Sequence, residues 1–226
     1  MIATTLSRTL DIPLIPIDHL EAHLFSVGLT SSLKFPSLVL LITGKNTALY
    51  KLTNEELVTQ LESCADCALG EAFDKVARIM GLPYPGGHLL ETYYRDNLEV
   101  LPLTKGNRDL NRLSLNFSGL ITAASRIWEL LMTDSLLDLE RKREILSTSF
   151  HNEILEILRL KLRYWFKKLN LSYLYIVGGA SKNLIIQNKL TKMLLDEGIS
   201  TFYVDKRYAE DNGAMIAYRS SLLISR

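Results

Sequence analysis

The sequence predicts an α/β fold, and three observations carry that prediction. Short β-rich apolar runs alternate with longer stretches of helical period along the whole chain. Residues 38–43 and 47–52 flank the turn Gly44-Lys45-Asn46 and read as a hairpin. Residues 173–177 form an apolar run that enters Gly178-Gly179-Ala180 and then a helical pattern, the strand–glycine–helix step of a wound sheet.

The elements follow in order. Residues 2–9 have the character of a helix end, and residues 12–17 are expected to form an irregular or edge strand because Pro13 and Pro16 lie inside it. Asp18 is placed to cap a helix, with Glu21 three residues on completing a capping-box pattern and Gly28 closing the element. After the hairpin, helices are expected over about 54–63 and 70–80. In the second of these, Phe73, Val76, Ala77 and Met80 form the buried stripe, and Gly81 ends it. The exit Pro83-Tyr84-Pro85-Gly86-Gly87 is stiffened by its prolines, while its glycines leave bare backbone. A short helix starts at His88. Residues 98–103 and 112–117 read as strands around the turn Lys105-Gly106-Asn107. Helices follow at about 118–132 and 139–169, the latter with an apolar stripe through Ile154, Leu158, Leu162 and Trp165. After the strand at 173–177 come a helix at 181–196, a strand at 199–204 and a final helix near Asp211.

Composition bounds the function only loosely. The 226 residues suffice for one large domain or two small lobes. Lys plus Arg number 26 against 25 for Asp plus Glu, so a nucleic-acid partner would need a local basic patch. No apolar run reaches membrane-spanning length. Cys64 and Cys67 form a lone Cys-x-x-Cys: a redox pair, half a zinc site, or two incidental thiols, with no second pair to complete a zinc site.

Four constellations carry chemistry. His19 and His23, four apart on one helix, stack their imidazoles on one face, the geometry of a shared metal ion or of a pair of surface histidines. A zincin peptidase needs its glutamate directly after the first histidine, where Leu20 stands instead. The turn at Gly178-Gly179 opens a helix whose first amides favour phosphate, with Asn183 available to a sugar or base. Asp211 either caps the last helix or supplies a hard oxygen ligand. The hairpin turn Thr43-Gly44-Lys45-Asn46-Thr47 offers hydroxyls, amides and an ammonium.

In order along the chain, the His-x-x-x-His helix, the Thr43-Gly44 hairpin, the string from Gly70 to Gly87, Asn116-Phe117-Ser118-Gly119-Leu120, Gly178-Gly179 with Asn183, and Asp211-Asn212 resemble the tRNA N6-adenosine threonylcarbamoyltransferase family in its bacterial and mitochondrial branch. The resemblance implies an actin-like (RNase H-like) two-lobed α/β fold. Residues 1–108 would be the remainder of the first lobe plus the hairpin and signature helix, and 109–226 the second lobe. It implies a transferase that passes threonylcarbamoyl from threonylcarbamoyl-AMP to N6 of the adenosine beside the anticodon in tRNAs reading A-starting codons. His19, His23 and Asp211 would hold one divalent ion, iron or zinc. Leu41, Ile42, Thr43, Gly44, Lys45, Asp74, Gly87 and Asn183 would line the adenylate site. The implied partners are tRNA and either a second copy of the chain or a partner subunit. The alternatives are a non-catalytic metal- and nucleotide-binding subunit and, third, a metallo-glycopeptidase.

Two departures from the family pattern stand out. Lys45 replaces the second glycine of the family hairpin, either obstructing the pocket or adding a cation for the phosphate. The opening strands of the first lobe and its early acidic motif have no counterpart, so the chain is expected to be inactive alone and to associate through an unpaired edge at residues 12–17. The branch, the low glycine content and the long charged helix point to a mitochondrion, with bacterial cytoplasm as the alternative.

Overall fold

The computed structural model describes residues 2–100, 102–104 and 115–224. Among them a five-stranded sheet has the order β3-β2-β1-β4-β5, with β1 Ser37–Ile42, β2 Thr47–Leu52, β3 Val58–Ser63, β4 Tyr173–Val177 and β5 Ser200–Tyr203. β1 pairs antiparallel with β2, Leu40 opposite Leu49, and β2 with β3. On its other side β1 pairs parallel with β4, Leu40 opposite Ile176, and β4 with β5. The expected boundary at 108/109 falls outside the described residues. Strands from both sides of it share this one sheet.

All six residues of β1 are buried, because helices cover both faces of the sheet. Leu38, Leu40 and Ile42 point into one core with Leu174, Ile176 and the helices α3 Leu69–Ile79, α5 Ser118–Thr133, α6 Leu139–Leu169 and α7 Leu184–Leu195. Val39 and Leu41 point the other way, into a core with Tyr175, Val177, helix α2 His19–Phe25 and residues near helix α8 Gly213–Ile224. The strand period of two thus sorts one apolar run into two cores. Helices α1 Ile2–Leu10 and α4 Gly87–Thr92 complete the set among the described residues.

Three expectations are corrected. Residues 12–17 form no strand; they run exposed between α1 and α2, where Pro13 and Pro16 supply no N–H for a ladder, so the sheet edge expected there does not exist. Residues 58–63 are strand β3 rather than part of a helix. The Asn54 side chain accepts from the amides of Glu56 (2.9 Å) and Leu57 (2.8 Å), which turns the chain back and brings Val58 and Thr59 against β2. No strand forms over 98–100 or 102–103. The expected turn at 105–107 and most of the strand at 112–117 lie outside the described residues, and 115–117 lead into α5 without strand structure.

Candidate metal centre and adjoining cavity

Three donor atoms meet from opposite ends of the chain. Asp18 accepts from the Glu21 amide (2.9 Å) and starts α2, so His19 and His23 stack one turn apart with their rings edge to face at 4.9 Å. Asp211 reaches them from just before α8. Its Oδ1 lies 2.9 Å from His23 Nε2 and 3.2 Å from His19 Nε2. The cap of α8 is Asn212, whose Oδ1 accepts from the Met215 amide (2.9 Å), which frees the Asp211 carboxylate. Glu21 does not reach back to complete a capping box. It receives Arg219 Nη2 at 3.0 Å and Nε at 3.2 Å, and the guanidinium, buried and stacked 4.2 Å above Phe25, clamps α8 onto α2.

The donor set suits a divalent first-row ion. Two imidazole nitrogens and one carboxylate oxygen lie within 4.8 Å of one another, one histidine buried and the other two groups open to solvent. Burial lowers the His23 pKa, and the bond to Asp211 opposes this without cancelling it, which favours the neutral ring; because a carboxylate only accepts, Nε2–H donates to Asp211, and that proton would give way to a bound ion. His23 Nδ1 is buried with no partner among the described residues.

Residue 210 carries the chain from this cluster into a cavity of about 370 Å³. Its walls include Gly44 of the hairpin turn, Gly70, Phe73 and Asp74 of α3, Gly87 and Glu91 of α4, and Gly179, Lys182, Asn183 and Glu210. Two glycines bring these walls together. A Cβ on Gly70 would sit 2.6 Å from the Thr43 carbonyl oxygen, and Gly178, at φ 93°, would put one 2.4 Å from that of Ile42.

The cavity is predominantly acidic. Asp74, Glu91 and Glu210 face one cation, Lys182, which is paired with Glu210. Two of the carboxylates are held by backbone: Asp74 Oδ1 accepts from Gly86 (3.0 Å) and Gly87 (2.8 Å), and Glu91 Oε2 from Leu184 (2.9 Å). Behind the wall, His151 is fully buried. A carbonyl only accepts, so its Nδ1–H donates to the Ser147 oxygen (2.8 Å) and its Nε2 accepts from Asn183 Nδ2 (3.3 Å). Asn183 Oδ1 accepts from Ile186 (2.9 Å), so the amide has one orientation. Burial pushes the His151 pKa down to about 4.

The family described as tRNA N6-adenosine threonylcarbamoyltransferase matches residues 1–218. The chain belongs to that family. A member from Persephonella marina is 33% identical over 96% of this chain, and one from Legionella pneumophila is 33% identical over 99%. The chain spans 62% and 66% of their lengths, under two thirds in each case. Among solved structures it is similar to full-length HypF in a phosphate- and nucleotide-bound form (TM-score 0.72, 14% identity, 97% of this chain and 37% of that one). It is also similar to the activator of 2-hydroxyisocaproyl-CoA dehydratase from Clostridium difficile with bound ADPNP (TM-score 0.54, 13% identity, 91% and 68%). Both are actin-like ATPase-fold proteins, which establishes the fold class expected from the sequence.

The family's motif residues divide into several groups. His19, His23 and Asp211 come together. Gly44, Asp74, Gly87 and Asn183 line the cavity. The Leu41 and Ile42 side chains are wholly buried on opposite faces of the sheet, which leaves only their backbone for a ligand. Thr43 Oγ1 is engaged inside its own turn, accepting from Asn46 (2.8 Å) and Lys45 (3.2 Å). The Lys45 side chain lines not this cavity but an adjoining cleft.

Cys64 and Cys67 are free thiols in no metal-ligand cluster among the described residues, and burial raises both pKa values, the reverse of a redox-active pair. Between them Asp66 accepts from the amides of Phe117 (3.1 Å) and Ser118 (3.0 Å), capping α5 from a distant loop. Burial alone would raise the Asp66 pKa, but the hydrogen bonds from Cys64, Cys67, Ser118 and Phe117 outweigh it and bring it down to about 2.

Sequence reasoning missed Glu91, Lys182, Glu210, His151 and Asp66. Each acts through partners far away in the chain, and no linear spacing marks them. Among the described residues no helix is long and apolar enough to cross a membrane.

Proposed function

We propose that this chain forms the metal- and adenylate-binding site of a tRNA threonylcarbamoyl transfer. The group passes from threonylcarbamoyl-AMP to N6 of the adenosine beside the anticodon in tRNAs reading A-starting codons. The observation that carries the reading is the meeting of His19 and His23 with Asp211, one residue along the chain from a wall of the cavity. The names of the relatives point to the same chemistry.

In the transfer, N6 attacks the carbamoyl carbon and gives up a proton to solvent, the bond from that carbon to the phosphate oxygen breaks, and AMP leaves with the bonding pair. An exocyclic amine is a weak nucleophile, so the carbonyl must be polarised and the leaving phosphate neutralised. A divalent ion held by His19, His23 and Asp211 would supply that charge, and an acidic cavity accepts such an ion readily. The chain's own groups orient the donor. Asp74 holds Gly86 and Gly87 in place, and Asn183, fixed by His151 and Ile186, keeps one amide proton for a hydroxyl or ring nitrogen. Lys182 gives the phosphate an ammonium once it leaves Glu210. The glycopeptidase reading is disfavoured because Leu20 stands where its general base belongs, and Glu21, the next residue, is tied to Arg219. The bacterial relatives favour bacterial cytoplasm over the mitochondrion.

The test is transfer of radiolabelled threonine, as threonylcarbamoyl-AMP, onto tRNA by residues 1–226 with added iron or zinc. The sequence alone leads to a chain inactive by itself; because the cluster and the cavity are both assembled within these residues, we expect product instead, which chelation abolishes and Asp211→Asn removes. Metal and adenylate binding without product would establish the non-catalytic subunit instead, and absence of both bindings would overturn the site.

A further inference from the structure

The cleft that receives Lys45 has a composition unlike the cavity beside it. It is about 480 Å³ and is lined by Gly44, Lys45, Glu71, Asp74, Lys75, Arg78 and Tyr84. Gly44 and Asp74 also line the adenylate cavity, so the two hollows meet across the hairpin turn and the middle of α3.

Three cations face two carboxylates here, and both carboxylates are engaged. Glu71 pairs with Lys75 one turn along α3 (2.8 Å), and Asp74 Oδ1 accepts the Gly86 and Gly87 amides. Lys45 and Arg78 have no ion-pair partner among the described residues. Beside them the Tyr84 ring is 85% exposed and touches no other ring among the described residues, in a loop that Pro83 and Pro85 stiffen. A large aromatic held out on a rigid loop next to two free cations has the chemistry of a single-stranded nucleic-acid site, with base stacking on the ring and phosphates on the cations.

We propose that this cleft binds the single-stranded loop of the RNA acceptor. Tyr84 stacks a base, and Lys45 and Arg78 take flanking phosphates, so that the target nucleotide enters the adenylate cavity over Gly44. This rests on the transfer reading above and deepens it by naming where the acceptor lies. It gives Lys45 a role other than obstruction or adenylate clamp: the departure from the family glycine places a cation on the RNA side of the turn.

Binding of a fluorescent tRNA anticodon stem-loop to residues 1–226, followed by anisotropy across a salt series, tests the cleft. Tyr84→Ala is expected to weaken binding on the order of five- to 100-fold, and Tyr84→Phe to restore most of it. Lys45→Ala and Arg78→Ala should each weaken binding several-fold and each lower the slope of log affinity against log salt by about 0.7. AMP binding, measured by calorimetry on the same proteins, should not change. Wild-type protein that binds no stem-loop, or variants within about twofold of wild type with unaltered slopes, would overturn the proposal. An RNA pattern as predicted beside a wild-type chain that binds no AMP would sink the transfer reading and leave the cleft standing. Loss of AMP binding in Lys45→Ala would return Lys45 to the adenylate and overturn its assignment here.

Discussion

The two hollows on either side of the hairpin turn share Gly44 and Asp74 and differ in almost everything else. The cavity is walled by groups that the fold holds down: Asp74 and Glu91 on backbone amides, and Asn183 between Ile186 and a buried His151. Its charge is mainly negative. The cleft presents exposed or half-exposed groups, and two of its cations have no ion-pair partner among the described residues. A phosphate-bearing ligand in the cavity must therefore draw its positive charge from a bound ion, from backbone and from Lys182 once it leaves Glu210. One in the cleft draws it from side chains. The same contrast separates their energetics: Asp74, Glu91 and Asn183 of the cavity are coupled to folding, and Lys45, Arg78 and Tyr84 of the cleft are not.

The largest effect expected on the cavity side is loss of the ion. Asp211→Asn or His23→Ala should lower metal affinity more than about 100-fold, since a three-ligand site loses a full ligand. Elemental analysis after dialysis reads this directly, and retained stoichiometric metal in Asp211→Asn would separate Asp211 from the site. Next comes the clamp that holds α8 on α2. Arg219→Ala removes a buried guanidinium from Glu21, from the Glu55 carbonyl and from the Phe25 ring, and should cost about 3–4 kcal/mol in urea unfolding. A cost below 1 kcal/mol would show that α8 is held by its apolar face alone.

Acid should unfold the cavity side through His151. Its folded pKa, about 4, lies below the unfolded 6.5, so between these values the unfolded chain binds the extra proton. Stability from this group is full above pH 6.5 and is lost as pH falls toward 4, by about 3 kcal/mol in all. Urea midpoints from pH 7 to pH 4 check this, and His151→Gln should flatten the profile over that window. An unchanged slope in the variant would mean that other groups carry the acid response. On the cleft side, Lys45→Ala and Arg78→Ala should leave stability within about 0.5 kcal/mol of wild type, as surface substitutions do. A larger loss would erase the contrast between the two hollows.

How much of this the sequence disclosed follows from the same contrast. The limits of α6 and β4 are legible because long apolar periods or glycine turns bound them, and Asp18 is legible as a cap because capping needs only three residues of local chain. β3 is not, because Val58–Ser63 is too short to tell a strand from a helix, and its partner β2 decides the matter. The strand expected at 12–17 failed because apolar content alone cannot form a ladder without a neighbour. His19 and His23 were visible by spacing, and Asp211 joined them through the family's motif order. Lys182 with Glu210, Glu91 with Leu184 and His151 with Asn183 meet across 28, 93 and 32 positions, and only folding brings them together. Tyr84 was visible as part of a motif, but its exposure was not.

The proposed ion site is His19, His23 and Asp211 beside the cavity. Anomalous diffraction at the iron and zinc edges, from crystals of residues 1–226 grown with those metals, tests it most directly. The account predicts a single peak bonded to His19 Nε2, His23 Nε2 and an Asp211 oxygen, at about 2.0–2.2 Å for zinc. A peak at other residues, or none while the hydrogen bonds to Asp211 persist, would contradict it.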